Sequence, residues 1–106
     1  KAVSIHVDES VLQYLMAVVR CTRNEERIHI GVSPRGSIAL YKAAQALAGI
    51  RGRDFVVPED IKELVLPVCR KRLIVSPEFV IRGYTSDSLL TEILCSIPVP
   101  SVKQHV

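Results

Sequence analysis

The sequence predicts an all-α fold, a four-helix, bundle-like arrangement with a minor two-stranded β element. Three observations predict it. Apolar residues recur at helical spacing in several separate stretches. Those stretches open on capping residues or prolines. Leu, Val, Ile and Ala dominate a composition with only three tyrosines, two phenylalanines and no tryptophan, which suits closely packed helices. At 106 residues the chain has room for one domain and one modest core. Its mean hydropathy of +0.25 points to a well-filled core, or to an apolar face that docks on a partner.

Residues 1–7 alternate apolar and polar and read as an incoming linker or short edge strand. Asp8 can cap a helix that starts at Glu9. In it Val11, Leu12, Leu15, Met16 and Val19 form one apolar stripe, running to about Cys21. Met16 reads as core filler, and Tyr14, off the stripe, as a rim residue. A polar connection through Arg27 leads to Ile28-His29-Ile30, a short extended segment with His29 pointing outward. The second helix spans about Pro34 to Ile50. Ile38, Leu40, Ala43, Ala44, Leu47 and Ile50 supply its apolar contacts, and its many alanines make it slender enough to lie centrally. Gly49 and Gly52 stop it.

After a connection over 51–57, Pro58 opens a third helix with Glu59 and Asp60 suitably placed in its first turn. Val57, ahead of it, lacks a capping hydroxyl. Pro67 should kink or restart this helix after Val65. Residues 73–84 contain Pro77 and Gly83 and read as a loop with extended pieces. Thr85 or Ser86 caps a last helix that buries Leu89, Leu90, Ile93, Leu94 and Ile97. Pro98 and Pro100 end it, and 101–106 form a frayed tail.

Several function classes lose support here. The net charge of +3 is spread among acidic residues, so a nucleic-acid stripe is absent. The densest basic cluster, Arg70-Lys71-Arg72, reads as a cationic helix C-terminus. Cys21, Cys69 and Cys95 are far apart, without metal-ligand spacing to His6, His29 or His105, and fit three buried thiols in a reducing cytoplasm. No apolar run approaches the ~18 residues that cross a membrane, and no signal peptide is visible. Lys1 in the place of a methionine gives the expectation of a fragment of a longer protein.

One stretch breaks a local rule. In Gly31-Val32-Ser33-Pro34-Arg35-Gly36, Ser33 is a good N-cap and Pro34 suits the first helical position. Arg35 then faces the positive end of the helix dipole, where acidic residues are preferred. Gly36 leaves the backbone bare. Together they describe a place for an anion, most naturally a phosphate. The glycine spacing imitates a P-loop, G-x-x-x-x-G-K-[ST], but Ser37 and Ile38 stand where the lysine and hydroxyl belong.

These stretches, taken with Asp8–Leu15, Val19–Arg23, Gly31–Leu40, Gly52–Ile61, Val68–Leu73 and Ile97–Pro100, resemble the C-terminal lid subdomain of MoxR-family AAA+ ATPases over nearly the whole chain. The resemblance implies that Arg35 is the sensor-2 arginine, with Ser33, Pro34 and Gly36 as its motif neighbours. It implies ATP and Mg²⁺ held by a separate P-loop AAA+ domain, and none held by this chain alone. It also implies a hexamer of chaperone-like function, partnered with von Willebrand factor A domain proteins. In that family a threonine usually stands where this chain has Val57. The alternative is a histone-fold-like DNA-binding or dimerisation module, suggested by a long central helix followed by Val56-Val57-Pro58-Glu59-Asp60-Ile61; the scattered basic residues and the extra last helix weigh against it. A catalytic role for His29 or Cys69 has no supporting constellation.

Overall fold

The computed structural model describes residues 5–100. The expected tail at 101–106 and the first four residues of the expected linker lie outside them. Along the chain run α1 (Glu9–Asn24), β1 (Ile28–Ile30), α2 (Pro34–Ile50), α3 (Pro58–Cys69), β2 (Ile74–Val75), α4 (Pro77–Ile81) and α5 (Ser86–Ser96). The strands pair antiparallel, Ile28 opposite Val75 and Ile30 opposite Ile74, with an irregularity between.

The core follows the apolar stripes. Val11, Leu15, Val18 and Val19 of α1 meet Leu40, Ala44 and Ala48 of α2, Ile61 and Val65 of α3, and Leu89, Leu90 and Ile93 of α5. Each fully buried leucine or isoleucine among them stabilises the fold by about 1.5–3 kcal/mol. Ala44 and Ala48 let α2 lie close to its neighbours, and α2 packs most extensively on α3. The all-α expectation with a minor two-stranded element therefore holds.

Caps set the helix starts. The Asp8 carboxylate accepts from the Ser10 N–H at 3.1 Å and the Ser10 hydroxyl at 2.6 Å. Thr85 Oγ1 accepts from the Ser88 N–H at 3.0 Å, while Ser88 Oγ accepts from the Thr85 N–H at 2.9 Å. The lead-in segment does pair, through His6: its N–H donates to the Asp54 carbonyl and its carbonyl accepts from Val56.

Several expectations need correction. Residues 73–84 are not only loop and strand: α4 makes a fifth helix, with Pro77 at its first position after Ser76. Pro67 does not restart α3, which runs through it to Cys69. Pro67 and Glu63, the residue whose carbonyl loses its helical bond, are both exposed, so water can take that bond. Helix α1 continues past Cys21 to Asn24. Tyr14 is buried instead of rim-placed, because α1 is covered on more than its main stripe. Its hydroxyl has no partner among the described residues. Ile38 and Ile50 are 55% and 82% exposed and are not core contacts. Of the thiols only Cys69 is buried, and burial pushes its pKa up to about 11; Cys21 is half-buried and Cys95 exposed.

The α2–α3 connection carries an ion pair. Arg53 donates to both oxygens of Asp60 at 2.8 and 2.7 Å, and to the Phe55 carbonyl at 2.9 Å. Asp60, wholly buried, also accepts from the Val57 N–H at 3.0 Å, which is the half of a capping box that a valine permits. Arg51 lies 3.5 Å away and bonds Glu63 at 2.6 Å. Burial pushes the Asp60 carboxyl up, but the bonds from Arg53 and Val57, with the charges of Arg53 and Arg51, outweigh it and hold its pKa below the usual carboxylate value. At the other end of the molecule Arg27 bonds Glu25 at 2.7 Å and Glu92 at 3.0 Å, tying the approach to β1 onto α5.

Two outcomes are expected for chemical or thermal denaturation of the chain. Asp60→Asn should cost about 3 kcal/mol at pH 7, since it strands the Arg53 guanidinium beside a neutral buried group. Because the folded pKa of Asp60 is depressed, its contribution is complete above the unfolded value of about 3.9 and disappears as pH falls through the folded value. The variant's midpoint should therefore fall less than the wild type's below that pH; parallel acid profiles would show that Asp60 does not carry it. Val57→Thr should raise stability by about 0.5–1 kcal/mol by supplying the missing cap. An unchanged or lowered midpoint would show that burying the hydroxyl cancels the gain.

Candidate anion site at the start of helix α2

The strand β1 leaves the core next to the end of α1, and two α1 side chains decide where it goes. Thr22 is buried in the last turns of α1. Its hydroxyl donates to the Val19 carbonyl at 2.6 Å and accepts from the Val32 N–H at 3.0 Å. Arg23 Nε donates to the Val32 carbonyl at 2.8 Å. Both backbone polar groups of Val32 are thus taken by neighbouring α1 residues, and the Val32 side chain is fully buried. Gly31 permits the approach: a Cβ there would stand 2.7 Å from the Thr22 carbonyl oxygen and 2.8 Å from the Arg23 Cα.

Held at Val32, the chain can turn only into α2. Ser33 is extended (φ −77°, ψ 167°) and caps the helix, its Oγ accepting from the Gly36 N–H at 3.3 Å and its carbonyl from the Ser37 N–H at 3.0 Å. Pro34 occupies the first helical position. Of the amides of that turn, the Arg35 N–H has no partner among the described residues. Arg35 is exposed, and its guanidinium has no carboxylate partner among the described residues.

Gly36 differs from its sequence reading. It is buried, not bare: a Cβ there would stand 2.6 Å from Val32 Cγ1 and 3.2 Å from Arg72 Cδ. Its missing side chain makes room for Val32 beneath and Arg72 across. Ser33 takes the Gly36 and Ser37 amides, so attraction for an anion must come from the remaining Arg35 N–H, the guanidinium and the helix end together. Leu12, Leu15, Met16, Ser37, Ile38 and Tyr41 line an apolar groove between α1 and α2, and Ser37 and Ile38 follow Arg35 within one turn of the helix.

The structure places Ser33, Pro34 and Arg35 at the first turn of α2, packs Gly36 against Val32 and the Arg72 stem, and shows Thr22 and Arg23 as the residues that hold Val32. Nothing in the periodicity marked Thr22: a threonine near a helix end is common, and its bond to residue 32 spans ten residues. Arg72 was visible only as one of three basic neighbours.

Against known proteins, the AAA lid domain family matches residues 20–93. YeaC of Bacillus subtilis is 38% identical over 103 residues, covering 97% of this chain and 32% of its own length. The chaperone MoxR1 of Mycobacterium tuberculosis is 30% identical over 105 residues, covering 91% of this chain and 28% of its own. A crystal structure of a candidate ATPase from Cytophaga hutchinsonii superposes with a TM-score of 0.83 at 28% identity, over 92% of this chain and 32% of that one. The chain spans about a third of the length of these relatives. The matched region contains every residue that builds the α2 start, from Thr22 and Arg23 to Arg72, and the chain belongs to the AAA lid domain family, in the form carried by MoxR-type AAA+ ATPases.

Proposed function

We propose that this chain is the nucleotide-sensing lid of a MoxR-type AAA+ ATPase and that Arg35 acts as its sensor-2 arginine on the phosphates of bound ATP. The observation that carries the reading is Arg35 itself: an exposed guanidinium with no carboxylate partner among the described residues, in the first turn of α2 and on a segment held by Thr22 and Arg23. A cation at that helix end is unfavourable by roughly 0.3–1 kcal/mol unless an anion answers it. A phosphate would relieve that contact and gain charge-assisted hydrogen bonds.

The lid's chemical share is limited. It supplies no P-loop lysine, and among the described residues no three His, Cys, Asp or Glu side chains gather to hold a metal. ATP and Mg²⁺ would be held by a P-loop AAA+ domain of the parent protein, with Arg35 placed near the terminal phosphate, where negative charge spreads as the bond to it breaks. Helices packed against that domain and against neighbouring subunits of a hexamer would pass on the nucleotide state. Chaperone-like maturation of protein complexes, with von Willebrand factor A domain partners, is the corresponding task. No helix among the described residues is long and apolar enough to cross a membrane, and the free thiols fit the cytoplasm. The histone-fold-like alternative gains no support from the comparisons.

The test is a paired measurement on the full-length parent carrying Arg35→Ala. Hydrolysis should fall far more than ADP affinity, by up to about 10³-fold if the guanidinium acts on the transferring phosphoryl group. The thermal midpoint should barely move. Normal hydrolysis with a lowered midpoint would make Arg35 a structural residue and overturn the reading.

A further inference from the structure

We propose that Arg72 is a second phosphate-contacting residue, carried across Gly36 to the first turn of α2 so that Arg35 and Arg72 face the same terminal phosphate. The proposal rests on the nucleotide-site reading of Arg35 and adds a residue that reaches the site from another element.

Three observations carry it. The first is the crossing. Arg72 Cδ lies 3.2 Å from where a Gly36 Cβ would be, so its aliphatic stem runs over α2 at the turn that bears Arg35. The second is that this position is fixed. The Arg72 N–H donates to the Cys69 carbonyl at 2.9 Å in the turn that closes α3, and Leu73, next in the chain, is buried. The stem is thus anchored at its root and pressed against buried Gly36 at its middle, while the residue as a whole stays exposed.

The third observation is charge. Arg27, Arg51, Arg53 and Arg70 all have carboxylate partners, Arg23 bonds a carbonyl, and Arg82 lies over the Phe79 ring. Arg35 and Arg72 have neither a carboxylate nor a ring among the described residues, and Arg20, which shares that lack, lines the groove between α1 and α5. Two guanidinia without a carboxylate among the described residues, one borne on the first turn of α2 and one on a stem that crosses that turn at Gly36, add positive charge to a helix end that itself repels cations. A multiply charged anion offsets that charge, and two planar forks from different directions can each bond a separate phosphate oxygen. The competing account is that Arg72 only complements the C-terminal dipole of α3. It explains the residue's position after Cys69 but not the stem laid over Gly36.

The experiment uses the full-length parent with Arg72→Met, Arg72→Lys, Arg35→Ala and the Arg35/Arg72 double variant, reading Mg-ATP and ADP affinity, hydrolysis and thermal midpoint. Methionine keeps an unbranched stem over Gly36 and removes only the charge. Arg72→Met should weaken ATP binding about tenfold, the loss expected for one charge-assisted hydrogen bond, with a smaller effect on ADP. Arg72→Lys should recover most of that loss, since lysine restores the charge without the fork. The double variant should lose less than the product of the single losses, because both act on one group. ATP affinity unchanged in Arg72→Met while Arg35→Ala impairs hydrolysis would overturn the proposal and leave the Arg35 reading standing. A lowered midpoint with intact ATP affinity would assign Arg72 to the α3 terminus instead. Intact hydrolysis in Arg35→Ala would remove the nucleotide-site reading, and Arg72 with it.

Discussion

The start of α2 depends on one peptide segment being held from both sides. Val32 gives its N–H to Thr22 and its carbonyl accepts from Arg23, and both of those residues sit on the last turns of α1. A buried backbone pair left unsatisfied would cost about 1–3 kcal/mol per group, so this arrangement strongly favours one path for the chain. Gly31 makes the close approach possible and the buried Val32 side chain locks it from the core side. The cap at Ser33, the proline at 34 and the aim of Arg35 all follow from where Val32 is fixed.

The far end of α2 is held by a different kind of interaction. The two-pronged bond from Arg53 to the buried Asp60, extended by Arg51 to Glu63, joins the end of α2 to the beginning of α3. Both ends of α2 are thus tied to its neighbours, the start to α1 and the end to α3. A contact made by Arg35 or Arg72 with a nucleotide would therefore displace the helical body and not just a side chain, which is what a lid needs in order to report nucleotide state.

Much of this was legible in the residues. Helix spacing gave α1, α2, α3 and α5 near their observed bounds, because apolar stripes and caps are local signals. The Ser33-Pro34-Arg35 start was readable for the same reason, and so was the anomaly of a cation at a helix N-terminus. What could not be read is non-local. Thr22 and Arg23 act on a residue about ten positions away, Arg53 finds Asp60 across a turn, and Arg72 meets Gly36 from another element. Gly36 was misjudged for that reason: glycine looks the same in sequence whether it opens a backbone to solvent or admits a neighbour's side chain. The continuity of α3 through Pro67 turned on exposure, and the short α4 on a single proline turn, neither of which periodicity reports.

The central claim, that the clamp on Val32 aims Arg35 at its target, is tested most directly by a double-mutant cycle on hydrolysis by the parent protein. Thr22→Val keeps the shape of the side chain and removes the oxygen that holds the Val32 N–H. The account predicts that Thr22→Val lowers the rate and that Arg35→Ala then costs several-fold less than it does in the wild-type background, because the guanidinium is already misplaced. Equal losses from Arg35→Ala in both backgrounds would contradict it: Arg35 would then find the phosphate without the clamp, and Thr22 would serve stability alone.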